Sequence, residues 1–228
     1  MINFIKSLDW FIKKNWYRYV LILIVGLLLT VINLFPARII ANLTAGVDNG
    51  TLSKEFLIYE KNKYFKNNLD FLKCFIKREK TYMIWNYQKL LRIQEYYYNK
   101  RKEKLNCLPW ILISRKKNKR GLNLGIEIPE NTCDKGLFIW HSGFIVINAR
   151  CKIGKDCQLH GNNCIGNKSV SMEAPIIGDN CDVGVGAKIL GGITIGDNVV
   201  IGASAVVVKD IKSNVVVCGV PAKIVKEN

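Results

Sequence analysis

The chain has 228 residues, of which 49% are hydrophobic, enough for one or two domains with a sizeable core and too apolar for a disordered chain. Its formal net charge of +16 is unevenly spread: residues 1–57 carry 6 basic and 3 acidic side chains, residues 58–120 carry 18 and 5, and residues 121–228 carry 10 and 10. The middle segment therefore offers a partner surface to anionic lipid, an acidic glycan or nucleic acid, with nucleic acid last because no recognition motif accompanies the charge. Eight cysteines without a C-x-x-C, beside only two histidines, argue against a structural metal site and for reduced thiols in a cytoplasmic domain.

In chain order, Tyr19 to Ala37 is an uncharged run preceded by Lys6, Lys13, Lys14 and Arg18. As a helix it is about 28 Å long, close to the hydrocarbon thickness of a bilayer, and reads as one transmembrane helix with its N-terminus inside. Its end, Phe35-Pro36-Ala-Arg-Ile-Ile40, and the following Asp48-Asn-Gly-Thr-Leu-Ser53 resemble the opening of an ABC-type exporter's membrane domain. No G-x-x-x-x-G-K-[ST] occurs after it, so the transport ATPase is missing and residues 1–57 read as a membrane-helix leader. Residues 58–120 are basic and aromatic. Their clearest helix is Tyr82 to Tyr96, where Trp85, Leu90, Leu91 and Ile93, with Tyr97, form an apolar stripe. That stripe reads as the packing face of a helical cap on the C-terminal region, and Arg115-Lys-Lys-Asn-Lys-Arg120 reads as an exposed linker.

From Ile147 to Val207 the sequence counts in sixes. Aliphatic residues stand at Ile147, Ile153, Leu159 and Ile165, and again at Ile177, Val183, Ile189, Ile195, Ile201 and Val207. The exception, Ser171, falls in the polar stretch Asn167 to Ala174, expected to be a loop pushed out of one turn. Four residues after each aliphatic slot the side chain is small or β-branched: Cys151, Cys157, Asn163, Cys181, Ala187, Ile193, Val199 and Ala205. Glycines follow the aliphatic slot at Gly154, Gly166, Gly178, Gly184, Gly196 and Gly202, where a corner is expected to need freedom in φ. Such hexads describe a triangular coil, and stacked coils make a parallel β-helix over residues 121–228.

The hexads, Gly136-Leu-Phe-Ile-Trp-His141, Cys157-Gln-Leu-His160 and Val217-Cys-Gly-Val-Pro-Ala-Lys223 resemble the hexapeptide-repeat acyltransferases. Among these they resemble the serine O-acetyltransferases found with polysaccharide-biosynthesis enzymes. The resemblance implies a mainly β fold: a left-handed parallel β-helix preceded by an α-helical N-terminal region. It also implies a homotrimer and transfer of acetyl from acetyl-CoA, without metal, to a hydroxyl. By the same resemblance His141 matches the general base, Glu127 stands where an aspartate orients a histidine, and His160 orients the acceptor or helps hold the oxyanion. Coenzyme A is expected along a groove between neighbouring β-helices, lined by Gly184, Gly186, Ala187, Gly202 and Ala203, with Lys209 and Lys223 toward its phosphates.

Histidine suits the base role because it titrates near neutrality, and the oxyanion that forms needs donors. Two departures from the serine enzymes matter. Trp140 replaces the acidic residue before the base, and Met172-Glu173-Ala174-Pro175 stands where a second histidine is usual. Both weaken serine as the acceptor, and an aromatic ring at Trp140 suits a sugar. Three readings stay open: a serine O-acetyltransferase, an O-acetyltransferase acting on a surface-polysaccharide sugar, and a non-catalytic membrane-tethered scaffold.

Overall fold

The computed structural model describes residues 52–100, 107–168 and 172–227. The leader expected over residues 1–57 lies almost wholly outside them, including the apolar run 19–37. Among the described residues no helix is long and apolar enough to cross a membrane.

Among the described residues four helices come first: α1 (Lys54–Tyr64), α2 (Asn68–Ile76), α3 (Lys80–Asn99) and α4 (Cys107–Leu124). Asn67 starts α2 by accepting the backbone N–H of Asp70, the usual way an N-cap side chain satisfies an orphan donor. In α3 the expected stripe of Trp85, Leu90, Leu91, Ile93 and Tyr97 is buried. Polar tips at its margins complete the cap on the first coil. Tyr87 accepts the N–H of Ile128, Gln88 donates to the carbonyl of Leu137, and Tyr64 of α1 accepts the N–H of Ile139.

The basic run 115–120 is not a linker. It lies inside α4, because lysine and arginine are good helix formers and because Ile113, Lys117, Gly121 and Leu124 make the inward stripe. Lys117 belongs to that stripe by laying its stem along the core while its ammonium donates to the carbonyl of Ile128 at 3.0 Å.

Fourteen short strands among the described residues, β1 (Ile126–Glu127) to β14 (Lys223–Glu227), then wind through three faces. The first face stacks β1 with β3 (Ile145–Ile147), β6 (Cys164–Gly166), β9 (Lys188–Leu190) and β12 (Val206–Val207). The second carries β4 (Lys152–Ile153), β7 (Ile176–Ile177) and β10 (Thr194–Ile195). The third runs from β2 (Phe138–Ile139) through β5 (Gln158–Leu159), β8 (Asp182–Val183) and β11 (Val200–Ile201) to β13 (Val215–Cys218), with β14 antiparallel at its edge. All other pairings are parallel, and this three-faced prism fits the left-handed β-helix. Every aliphatic hexad residue from Ile147 to Val207 is buried, as is the whole small-residue column from Cys151 to Ala205. The loop expected at Asn167 to Ala174 is also found: residues 167–175 join β6 to β7, whereas residues 191–193 suffice between β9 and β10. Register survives the insertion, with Ile165 opposite Ile189 and Ile153 opposite Ile177. All eight cysteines are free, and burial pushes the thiols of Cys151 and Cys181 up to about 11.

The hexad glycines serve a different purpose from the one expected. None of the six has a left-handed φ. That conformation falls two residues later, on Asp156, Asn180, Asn198 and Ser204, whose short polar side chains tolerate it. Glycine is needed instead for close stacking of coils. A Cβ on Gly178 would lie 2.7 Å from the backbone carbon of Gly196, and one on Gly184 would lie 2.7 Å from the carbonyl oxygen of Ile201. Gly178→Ala is therefore expected to cost about 1–3 kcal/mol, the usual penalty of overpacking. A thermal melt checks it, and an unchanged midpoint would show that the coils can spread.

Candidate active site

Each time the chain passes from the third face to the first, it turns the same edge of the prism. Residues 140–144 make the first such corner, followed by 160–163, 184–187 and 202–205, while residues 219–222 turn back from β13 to β14 within the third face. His141 sits on the first corner and His160 on the second. The corners are tied by backbone bonds: Asn162 N–H donates to Gly143, Gly186 to Gly161, and Ser204 to Val185. Gly161 stands against the His141 corner, a Cβ on it lying at ordinary contact distance from that of His141, and its φ of +106° is what calls for glycine there. Asn163, fully buried in the small-residue column, accepts the N–H of Gly161 and donates to the carbonyl of Gly184, fixing the middle of the edge.

The structure brings two of the expected site residues into contact. Trp140 and His160 stack, with ring centroids 5.4 Å apart and planes 18° from parallel. Trp140 is held in turn by Phe138, edge-on at 4.8 Å, and by its indole N–H donating to Gln158 at 3.0 Å. One face of the Trp140 ring is thus taken by His160. His160 Nε2 lies 2.7 Å from Asp182 Oδ1. His141 is exposed, and among the described residues its ring makes no hydrogen bond. Next to Trp140 a cavity of about 540 Å³ opens between α1, α3 and the third face, walled by Tyr64, Phe138 and Trp140 and edged by Lys63, Thr81 and Gln158.

Gly184, Gly186, Gly202 and Ala203 follow on the same edge below the histidines, and Lys223 opens β14 after the turn that follows β13. Three expected residues do not join them. Ala187 fills the small inward slot and is fully buried, so its side chain lines no groove. Lys209 follows β12 on the way to Ile211, which bridges to Ile195 of the second face; it therefore belongs to another edge. Glu127 is exposed on the first face, opposite Val146, and bonds to neither histidine. Asp182 and Asn163 are the residues that no motif had singled out as part of the site.

Eighteen-residue coils of hexads around an aliphatic column, with histidines on one edge, define a hexapeptide-repeat transferase. Residues 174–209 match the family described as bacterial transferase hexapeptide (six repeats). The chain is 32% identical over 183 residues to the serine acetyltransferase of Synechococcus elongatus, covering 77% of this chain and 68% of that one. The chain belongs to the serine acetyltransferase family. It is also 40% identical over 107 residues to the serine acetyltransferase of Staphylococcus xylosus, which is 46% of this chain and half of that one. The serine acetyltransferase structure from Brucella abortus superposes with a TM-score of 0.54 at 23% identity, over 65% of this chain and 57% of that one, a likeness of fold. These relatives bear on the acetyltransferase resemblance and lend no support to the exporter likeness of residues 1–57.

Proposed function

We propose that this chain is an acetyl-CoA-dependent O-acetyltransferase. The observation that carries this reading is the single edge on which His141, His160 and Trp140 stand above the open corners of Gly184, Gly186, Gly202 and Ala203. A pantetheine arm needs a backbone edge with little side-chain bulk, and this edge carries three glycines and an alanine in line with two imidazoles. His141, exposed and without a hydrogen-bond partner among the described residues, takes the proton of the acceptor hydroxyl as that oxygen attacks the thioester carbonyl. Backbone N–H groups at the corner are the available donors for the oxyanion, and the imidazolium returns its proton to the departing thiolate. The groove is completed by a neighbouring β-helix in a trimer, which the family's resemblance implies.

Serine is the acceptor that family membership favours. A second reading, a sugar acceptor, is favoured by the cavity beside Trp140, whose aromatic walls and polar rim match the two faces of a pyranose. The test is thiol release from acetyl-CoA with serine and with a panel of sugars and glycans. Turnover with at least one acceptor is expected. No thiol release with any of them would favour a non-catalytic β-helix.

A further inference from the structure

Asp182 is the first residue of β8 and stands opposite Gln158 on the outer side of the third face. Its Oδ1 is shielded from solvent and has no hydrogen bond among the described residues, yet His160 Nε2 is only 2.7 Å away. A buried carboxylate oxygen without a donor is costly, and two acceptors cannot face each other at that distance without strong repulsion. A proton must therefore lie between them, and a turn of the imidazole completes the bond. Such a turn is a rotation within the ring's own plane, because Trp140 stacks on its face and is itself fixed by Phe138 and Gln158.

In a neutral imidazole only one nitrogen carries hydrogen, and the bond made by one nitrogen sets the state of the other. With Nε2–H committed to Asp182, Nδ1 keeps its lone pair. It makes no hydrogen bond among the described residues, and the His160 side chain remains 30% exposed. A lone pair cannot hold an oxyanion, which needs a donor, but it can accept a hydroxyl.

We propose that Asp182 is a positioning residue that locks His160, braced by Trp140, into the tautomer whose Nδ1 accepts a hydrogen bond from a second donor on the acceptor, distinct from the hydroxyl that gives its proton to His141. The role of Nδ1 rests on the acetyl-transfer reading, whereas the tautomer does not, so the two are tested separately. The chain has only two histidines, so ¹⁵N-edited NMR of the full chain at neutral pH, with His141→Gln to assign the signals, reads the state of His160 directly. The expected result is a protonated Nε2 and an unprotonated Nδ1. A proton on Nδ1, whether in the other tautomer or in an imidazolium, overturns the proposal.

The kinetic arm uses Asp182→Asn, whose amide can donate to Nε2 and so favours the opposite tautomer. With an acceptor that the unaltered chain acetylates, kcat/KM is expected to fall at least about tenfold, with the loss of the Nε2–H signal and an unchanged melting midpoint. Unchanged kinetics in a variant that has lost that signal would refute the role given to Nδ1. If the unaltered chain acetylates nothing, the acetyl-transfer reading fails and takes the role of Nδ1 with it, while the tautomer stands or falls on the NMR result alone.

Discussion

Arg92→Ala is expected to destabilise the protein by about 3–5 kcal/mol, the usual result of removing one partner from a buried ion pair. Arg92 of α3 is 3% exposed and Glu60 of α1 is fully buried. All five guanidinium N–H groups are used. Nε and one Nη2 hydrogen go to Glu60, the other Nη2 hydrogen to the carbonyl of Asp134, and the two on Nη1 to Glu95 and the carbonyl of Cys133. Glu60 also accepts the N–H of Gly136, and Glu95 that of Asn131. One side chain thereby joins two helices to the segment that enters β2. Alanine would leave Glu60 charged, dry and without its cation, with two backbone carbonyls stripped of their donors. For a chain of this size the melting midpoint is expected to fall by about 6–20 °C. Lysine should not rescue it, since one ammonium cannot fork between two carboxylates and two carbonyls. A melt of Arg92→Ala within a degree of the unaltered protein would mean that water enters the cluster and solvates Glu60.

Much of this architecture was legible because a β-helix writes itself into sequence at a period that neither helices nor flat sheets share. The aliphatic column, the small column and the expelled loop at 167–175 could be counted directly. What spacing could not show was why glycine recurs: the contact between Gly178 and Gly196 is between successive coils, whereas the left-handed corner lies two residues further on, at Asn180. The basic run at 115–120 misled for a related reason. Lys117 occupies an inward position by sending its charge to a carbonyl, so an inward residue looked like part of an exposed run.

At the site, the two histidines and Trp140 were legible through the resemblance, because Gly136 to His141 and Cys157 to His160 align with the family's motifs. Asp182 was not, since its significance depends on register across the loop: only once the insertion is treated as six extra residues does it fall opposite Gln158, beside His160. Ala187 and Lys209 show the reverse error. Ala187 was expected in the groove for its backbone and Lys209 for its charge, yet the Ala187 side chain points into the core and Lys209 turns a different edge. Phase within the hexad, not distance along the chain, decides which edge a residue serves.

The same logic of phase gives the sharpest test of the active site. His141→Ala is expected to lower kcat/KM by about 10²–10⁴-fold, the range that general-base catalysis supplies. Stability should hardly change, because the side chain is exposed and bonded to nothing among the described residues. That combination distinguishes a base from a structural histidine, whose loss would lower the melting midpoint along with the rate. The ratio of effects also separates the two imidazoles. If His141 takes the proton and His160 orients the acceptor through a second donor, removing the first should depress kcat, whereas disturbing the second through Asp182 should fall more heavily on KM for the acceptor. Turnover that survives His141→Ala but collapses with His160→Ala would assign the base to the histidine facing Asp182 and leave His141 as a bystander on the edge.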